Sequence, residues 1–150
     1  MSVSTQSTSG VDRWFGMTAR GSNYSREIRG GIVTFFTMAY IVVLNPLIIG
    51  TAKDMNGNFI GGGTDVVKAI AMVTAATALL AGLLTILMGV IGRFPIAVAA
   101  GLGINGFVAF TLAPQMTWAD AMGLVVLEGI LILILVFELR GHLVFVYAVR

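Results

Sequence analysis

The side chain in this sequence best placed to do chemistry is an amide. Asn105 lies in the run FPIAVAAGLGINGFVAF, between Gly103 and Gly106. A carboxamide both donates and accepts hydrogen bonds, so it can match the edge of a neutral heterocycle that does both. The alternative role is local, because an Asn at a helix start can cap the free N–H groups there. Glu128 is the only ionisable residue deep inside an apolar run. A charge at that depth is costly enough that such a residue faces the bundle interior, either hydrogen-bonded to a neighbouring helix or coupled to a proton. An earlier apolar run carries Thr34, Thr37, Tyr40 and the pair Asn45-Pro46. Pro46 leaves the carbonyl of Val42 without its helical donor, so a kink is expected, and the freed group either finds a protein partner or lines a polar cavity. Thr37 and Asn45 therefore join Glu128 as candidate polar or coupling residues.

Other chemistries lack material. The chain has no Cys and a single His, His142, which excludes disulfides and thiolate sites and leaves no cluster for zinc. No metal site and no cofactor are expected. There is no Walker-type glycine loop, no nucleophile elbow and no pair of carboxylates on one helix face, so no catalytic residue is assigned and the chain is not read as an enzyme. The basic residues are scattered at the ends of apolar runs, a pattern of membrane topology and not of nucleic-acid binding.

The elements that must position these residues follow from a composition that is 57% hydrophobic and 11% charged, where a soluble domain carries about a quarter charged residues. Lipid must cover much of the fold. Residues 30–52 carry no charge and reach roughly 35 Å as a helix, enough to cross a hydrocarbon core of about 30 Å. Residues 69–92 form a second such run, and 121–138 a fourth apolar one, broken by Glu128 and ending at Glu138. The third, 94–113, holds Pro95, Gly101, Gly103 and Gly106, with Pro114 just beyond. These are too many breakers for one regular helix, and the run reads as an extended piece leading into a short helix. Irregular backbone at membrane depth is tolerated only where it is buried in protein or borders a solvated site, and the start of a half-helix offers N–H groups and a positive dipole end to a ligand. The expected fold is an all-α integral membrane bundle of about four segments, with a broken strand and half-helix as its third.

Residues 1–29 read as an N-terminal tail, polar over 1–10 and interfacial over 11–29, where Trp14, Phe15, Met17 and Tyr24 alternate with arginines. Residues 139–150 form a short divergent tail. Arg13, Arg20, Arg26, Arg29, Arg93, Arg140 and Arg150 fall on one side of these crossings, and only Lys53 and Lys68 on the other. Positive residues stay inside, so the N-terminus is expected to be cytoplasmic in a multi-pass cell-membrane protein. In the second run Ala71, Ala75, Ala78, Gly82, Thr85, Gly89 and Gly92 recur at helical spacing, a small-residue seam that suits close docking of another helix or, alternatively, a cavity wall.

Four blocks carry a family likeness: VDRWFGMTARGSNYSREIRGG, GIVTFFTMAYIVVLNPLIIG, MGVIGRFPIAVAAGLGINGFVAF and MTWADAMGLVVLEGILILIL. In this order they resemble the AzgA-like purine permeases of the nucleobase:cation symporter group. The resemblance implies a secondary transporter that moves hypoxanthine, guanine or adenine with protons. It also implies an inverted-repeat fold with substrate held where two broken segments meet. Gly101, Gly103, Asn105 and Gly106 then map onto the family's substrate-facing strand and half-helix, and Glu128 onto a position that admits a polar residue. The resemblance further implies that this chain matches about the first third of such a protein. It would be inactive alone, its partners being the purine, the lipid bilayer, the missing C-terminal segments and, as a candidate, a second copy in a homodimer. From Glu138 onward the sequence departs from the family pattern. Two rival readings remain: a small membrane protein that acts by associating with other helices through the seam, and a carrier of another solute on a similar fold. For an anionic solute no Arg or Lys falls within a span, so a neutral ring fits better.

Overall fold

The computed structural model describes residues 9–94 and 96–148, with side-chain surroundings given through Leu139. The polar stretch 1–8, Pro95 and Arg150, and the side chains of Arg140 and His142, lie outside the described residues.

Ser9 opens helix α1 (Gly10–Phe15) by accepting from the Asp12 N–H, and Gly16 ends it in the left-handed region at φ 63°. One tighter turn follows over Thr18–Arg20. Helix α2 (Tyr24–Ala39) starts at Asn23, whose side chain accepts from the Arg26 N–H, and Glu27 in its first turn complements the positive helix end. The regular helix stops at Tyr40 and resumes as α3 (Ile41–Ile49), which contains Pro46. The interruption expected around Pro46 is therefore upstream of it, and Pro46 itself is fully buried.

A loop built on Asp54, whose carboxylate accepts from the N–H groups of Asn56 and Asn58, leads to α4 (Val66–Val90). Asp65 caps that helix through the N–H groups of Val67 and Lys68. The 25 residues of α4 reach roughly 37 Å, beyond the thickness of a hydrocarbon core. After it the chain runs without regular structure over 96–100 and enters α5 (Leu102–Phe107) through Gly101. A π-helical turn, Val108–Leu112, and a tight turn, Ala113–Gln115, carry the chain to α6 (Trp118–Ala148). Thr117 caps α6 by accepting from the Asp120 N–H at 3.2 Å, and its hydroxyl donates to the Asp120 carboxylate at 2.6 Å.

Tyr24–Ile49, Val66–Val90 and Trp118–Leu139 are long and apolar enough to cross a membrane. These helices begin somewhat before the charge-free runs, because a capped first turn tolerates Arg26, Glu27 and Lys68. The segment between α4 and α6 is the irregular one, as its breakers require, although no β-strand forms among the described residues.

Packing is concentrated at one end. The stripe Ile41, Asn45, Pro46 and Ile49 of α3 is buried, as is the stripe Ala69, Val73 and Thr77 of α4, and these two helices pack on each other. A Cβ at Gly50 would stand 2.6 Å from the Pro46 carbonyl oxygen and 3.0 Å from the Ile70 Cα, so the approach there requires glycine. Ile49, Ala52, Val73, Val108, Ala109, Ala113, Trp118 and Ala121 form one buried cluster, in which small side chains bring the π turn and the start of α6 close. Elsewhere large apolar side chains such as Phe36, Leu79, Ile86 and Phe137 are exposed. Exposed apolar surface on this scale belongs to a molecule whose solvent is lipid or further protein.

Candidate substrate site

The extended piece and α5 are held in place by side chains of the two helices before them. Thr85 of α4 contributes both halves of a backbone pairing: its Oγ1 accepts from the Val98 N–H at 3.0 Å and donates to the Val98 carbonyl at 3.2 Å. Extended backbone at membrane depth has no water to satisfy it, and a single hydroxyl here supplies a donor and an acceptor to one residue of it. Gly101 then takes the N-cap position at φ −78°, ψ 101°, without a side-chain cap.

Asn105 lies inside α5 and not at its start, and its backbone N–H bonds to the Gly101 carbonyl at 3.0 Å. The capping role is thereby excluded. Its side-chain Nδ2 donates instead to Oδ1 of Asn45 on α3, and Asn45 Nδ2 donates to Thr77 Oγ1 on α4 at 2.8 Å. Asn45 and Thr77 are 5% and 7% exposed, while Asn105 is half-buried. Three segments thus meet through one directional chain of hydrogen bonds in surroundings that are otherwise apolar. A Cβ on Gly103 or Gly106 would find no atom within 4 Å, so space is open on the glycine face of α5, which helical spacing sets apart from the face that carries Asn105.

Of the residues selected from sequence, Asn45 and Asn105 come together, with Gly101, Gly103 and Gly106 on the same segment as Asn105. Thr37 and Glu128 do not join them. Thr37 is exposed and returns its hydroxyl to the Val33 carbonyl at 2.8 Å, and Glu128 is exposed on α6. Thr77 was missed: its signal in the sequence is only a hydroxyl in a charge-free helix, shared with Thr74, whose hydroxyl bonds back to the Ile70 carbonyl. Among the described residues no group of acidic, His or Cys side chains could hold a metal ion.

The small-residue seam of α4 lies on the side opposite its buried stripe. No helix is docked on it among the described residues: a Cβ at Gly82 or Gly89 would meet nothing within 4 Å. Ala78, Gly82, Thr85 and Gly89 instead form one wall of a cleft of about 620 Å³, with α2 and residues 96–99 as the others. Among the described residues these four of the seven seam residues face a cleft, and Ala71, Ala75 and Gly92 do not line it. At the far end of α4, Trp14 Nε1 donates to the Val90 carbonyl at 3.2 Å, and Arg20 donates to the Arg93 carbonyl. The Arg93 guanidinium lies 4.3 Å from the centre of the Trp14 ring. The N-terminal segment is therefore fastened to the end of α4 that carries Arg93.

Compared with curated proteins, the chain is 33% identical over 142 residues to the adenine permease AdeP of Escherichia coli K12, a match covering 91% of this chain and 29% of that protein. It is 32% identical to the guanine/hypoxanthine permease GhxP of Escherichia coli O157:H7, over 87% of this chain and 27% of the relative. It is 35% identical to the guanine/hypoxanthine permease PbuG of Bacillus subtilis 168, over 74% of this chain and 24% of the relative. The chain spans about a quarter of the length of the curated relatives it matches. No family model matches it, and no solved structure does.

Proposed function

We propose that this chain, which belongs to the AzgA-like purine permease family, builds part of the substrate pocket of a carrier that moves purine nucleobases across the cell membrane together with protons. The single observation that carries the reading is the meeting of α3, α4 and α5 through Asn45, Thr77 and Asn105. It lies where the backbone leaves regular helix between two membrane-length elements. Polar side chains in an apolar fold are retained where they are satisfied and used. A half-buried amide on a short helix suits a neutral, planar, hydrogen-bonding ring. The names of the relatives support purine as that ring.

Transport is assigned to the full-length gene product, in which the chain's N-terminus is cytoplasmic on the strength of its arginines. A homodimer would cover part of the exposed apolar surface. Proton coupling rests on the family resemblance alone; Glu128, at the middle of the Trp118–Leu139 helix, is exposed and stands apart from the relay of Asn45, Thr77 and Asn105.

Uptake of labelled hypoxanthine, guanine and adenine by cells expressing the full-length gene tests the reading. Asn105→Ala should lower uptake about tenfold or more, the effect of losing one hydrogen bond to a ligand in a dry site. Normal uptake by that variant removes Asn105 from the pocket, and absence of uptake for every purine removes the substrate. A protonophore should abolish accumulation and sodium replacement should not.

A further inference from the structure

Among the described residues one non-glycine, Arg93, has a positive φ, at 52°, in a backbone region that a residue with a Cβ seldom occupies. It stands at the turn where the chain leaves α4 for the extended piece 96–100 and, beyond that, α5. A residue persists in such a conformation only where its surroundings hold it. We propose that residues 10–21 are a reversible clasp on the Arg93 turn, with Trp14 and Arg20 as positioning residues that act on the substrate site from outside it. The effect on transport rests on the pocket proposed above, whereas the clasp itself can be read without transport.

Within the end of α4 the turn is closed by two long bonds, from the Gly92 N–H to the Leu87 carbonyl and from the Phe94 N–H to the Met88 carbonyl, both 3.3 Å. The contacts of Arg93 itself go to the N-terminal segment. Its carbonyl accepts from the Arg20 guanidinium at 3.3 and 3.4 Å, and its own guanidinium lies over the Trp14 ring. Trp14 Nε1 also donates to the Val90 carbonyl, one of the acceptors that a helix end leaves without an intrahelical donor. Trp14 and Arg20 move as one body, because Asp12 ties α1 to Thr18 and Met17 is buried. Their hold on α4 is nevertheless exposed: Trp14 is 50% exposed, Arg20 and Arg93 are exposed, and a space of about 280 Å³ lies between this segment, the start of α2 and the end of α4. An element held by a few exposed polar contacts opens at low free-energy cost. With the clasp closed, the Arg93 turn and the Thr85–Val98 pairing fix the extended piece at two points. With it open, the turn relaxes its φ and the course of the chain toward Gly101 and α5 shifts.

The test uses the full-length gene product and two readouts: the KM for hypoxanthine uptake, and the rate at which a water-soluble maleimide labels Gly103→Cys beyond the parent without that thiol. Arg20→Met, which removes the donors to the Arg93 carbonyl, should raise KM about threefold to tenfold at an unchanged amount of protein in the membrane. It should also change the labelling rate at least twofold. Trp14→Leu should do the same, and Arg20→Lys, which keeps a charged donor, should stay within about twofold of wild type. The Arg93 backbone carbonyl survives substitution there, so the strain can be separated from the contact. In Arg93→Gly, where a positive φ costs little, adding Arg20→Met should change KM less than twofold. In Arg93→Ala, which keeps the strained φ and loses only the guanidinium, Arg20→Met should keep its full effect.

Three results overturn the inference and leave the pocket reading intact. One is an unchanged KM and labelling rate in both Arg20→Met and Trp14→Leu. Another is an equal effect of Arg20→Met in the Arg93→Gly, Arg93→Ala and wild-type backgrounds, which means that the turn is not where the segment acts. The third is a fall in protein amount with KM and labelling rate constant, which makes the segment structural only. If the wild type takes up no purine, the pocket reading falls and the labelling rate alone decides: a change in Arg20→Met supports the clasp, and a constant rate overturns it.

Discussion

The two halves of α4 live in different worlds. Its first half presents Ala69, Val73 and Thr77 to α3 and to the buried cluster, where Gly50 has no room for a Cβ and Ala113 is fully buried. Its second half presents Ala78, Gly82, Thr85 and Gly89 to a cleft and is touched by its neighbours mainly through polar contacts: Thr85 with Val98, and the Val90 carbonyl with Trp14. The difference separates what this chain packs for itself from what it leaves open. Tight packing fixes the end from which the polar relay hangs, and the looser end lets α2 and the extended piece stand apart.

That contrast can be broken most severely at Ala113, which is fully buried. Ala113→Leu should destabilise the detergent-solubilised protein by about 1–3 kcal/mol through overpacking, read as an earlier loss of monodisperse protein on heating. Asn45→Leu comes next. It strands the Thr77 hydroxyl and the Asn105 amide, and intramembrane polar contacts of this kind are worth about 1 kcal/mol, so a smaller shift in the same assay is expected. At the open end, Trp14→Leu removes an indole donor and a cation–π contact of about 0.5–1 kcal/mol. It should release α1, making the Gly16 and Gly21 turns cleavable by protease while the heat-resistance of the rest stays as in the wild type. Gly82→Ala should be the mildest, within about 0.5 kcal/mol of wild type, since its Cβ meets nothing. A large loss there would mean that the cleft is closed in the membrane.

The turn after α1 adds a pH dependence. The Asp12 carboxylate accepts from the Thr18 N–H at 2.8 Å and from its hydroxyl at 2.7 Å, and these donors hold it below the usual carboxylate range. A folded pKa below the unfolded one contributes stability that is present above the unfolded value and lost as pH falls through the folded one. Protection of the Gly16 to Gly21 segment should therefore be constant at neutral and mildly acidic pH. It should weaken only on acidification through and below the ordinary Asp range, and Asp12→Ala should remove the dependence.

Sequence reasoning reached the irregular third run because Gly101, Gly103 and Gly106 lie close together and cannot belong to a stable lipid-facing helix. It singled out Asn105 through the same breakers. The partnership of Asn105 with Asn45 was beyond it, since 60 residues separate them and no local periodicity encodes which side chains of three helices converge. Thr77 was hidden because a Thr that bonds back to its own helix and one that serves a neighbour look alike in sequence. The seam of α4 was visible as a pattern, but a face of small residues packs a helix or walls a cleft equally well, and the cleft that α2 and residues 96–99 form with part of it is not encoded in that spacing. The helices begin a few residues before the apolar runs because Asn23, Asp65 and Thr117 cap turns that lie outside those runs.

The claim that α5 borders a polar pocket is tested most directly by placing a single thiol on it, in a chain that has no Cys of its own. Gly103→Cys, which has room for the new side chain, should react in intact membranes with a water-soluble maleimide, and hypoxanthine should slow that reaction. Leu127→Cys, exposed on α6, serves as the lipid-facing control and should not react. A thiol at Gly103 as inert as the one at Leu127, or reactive but indifferent to every purine, would contradict the pocket.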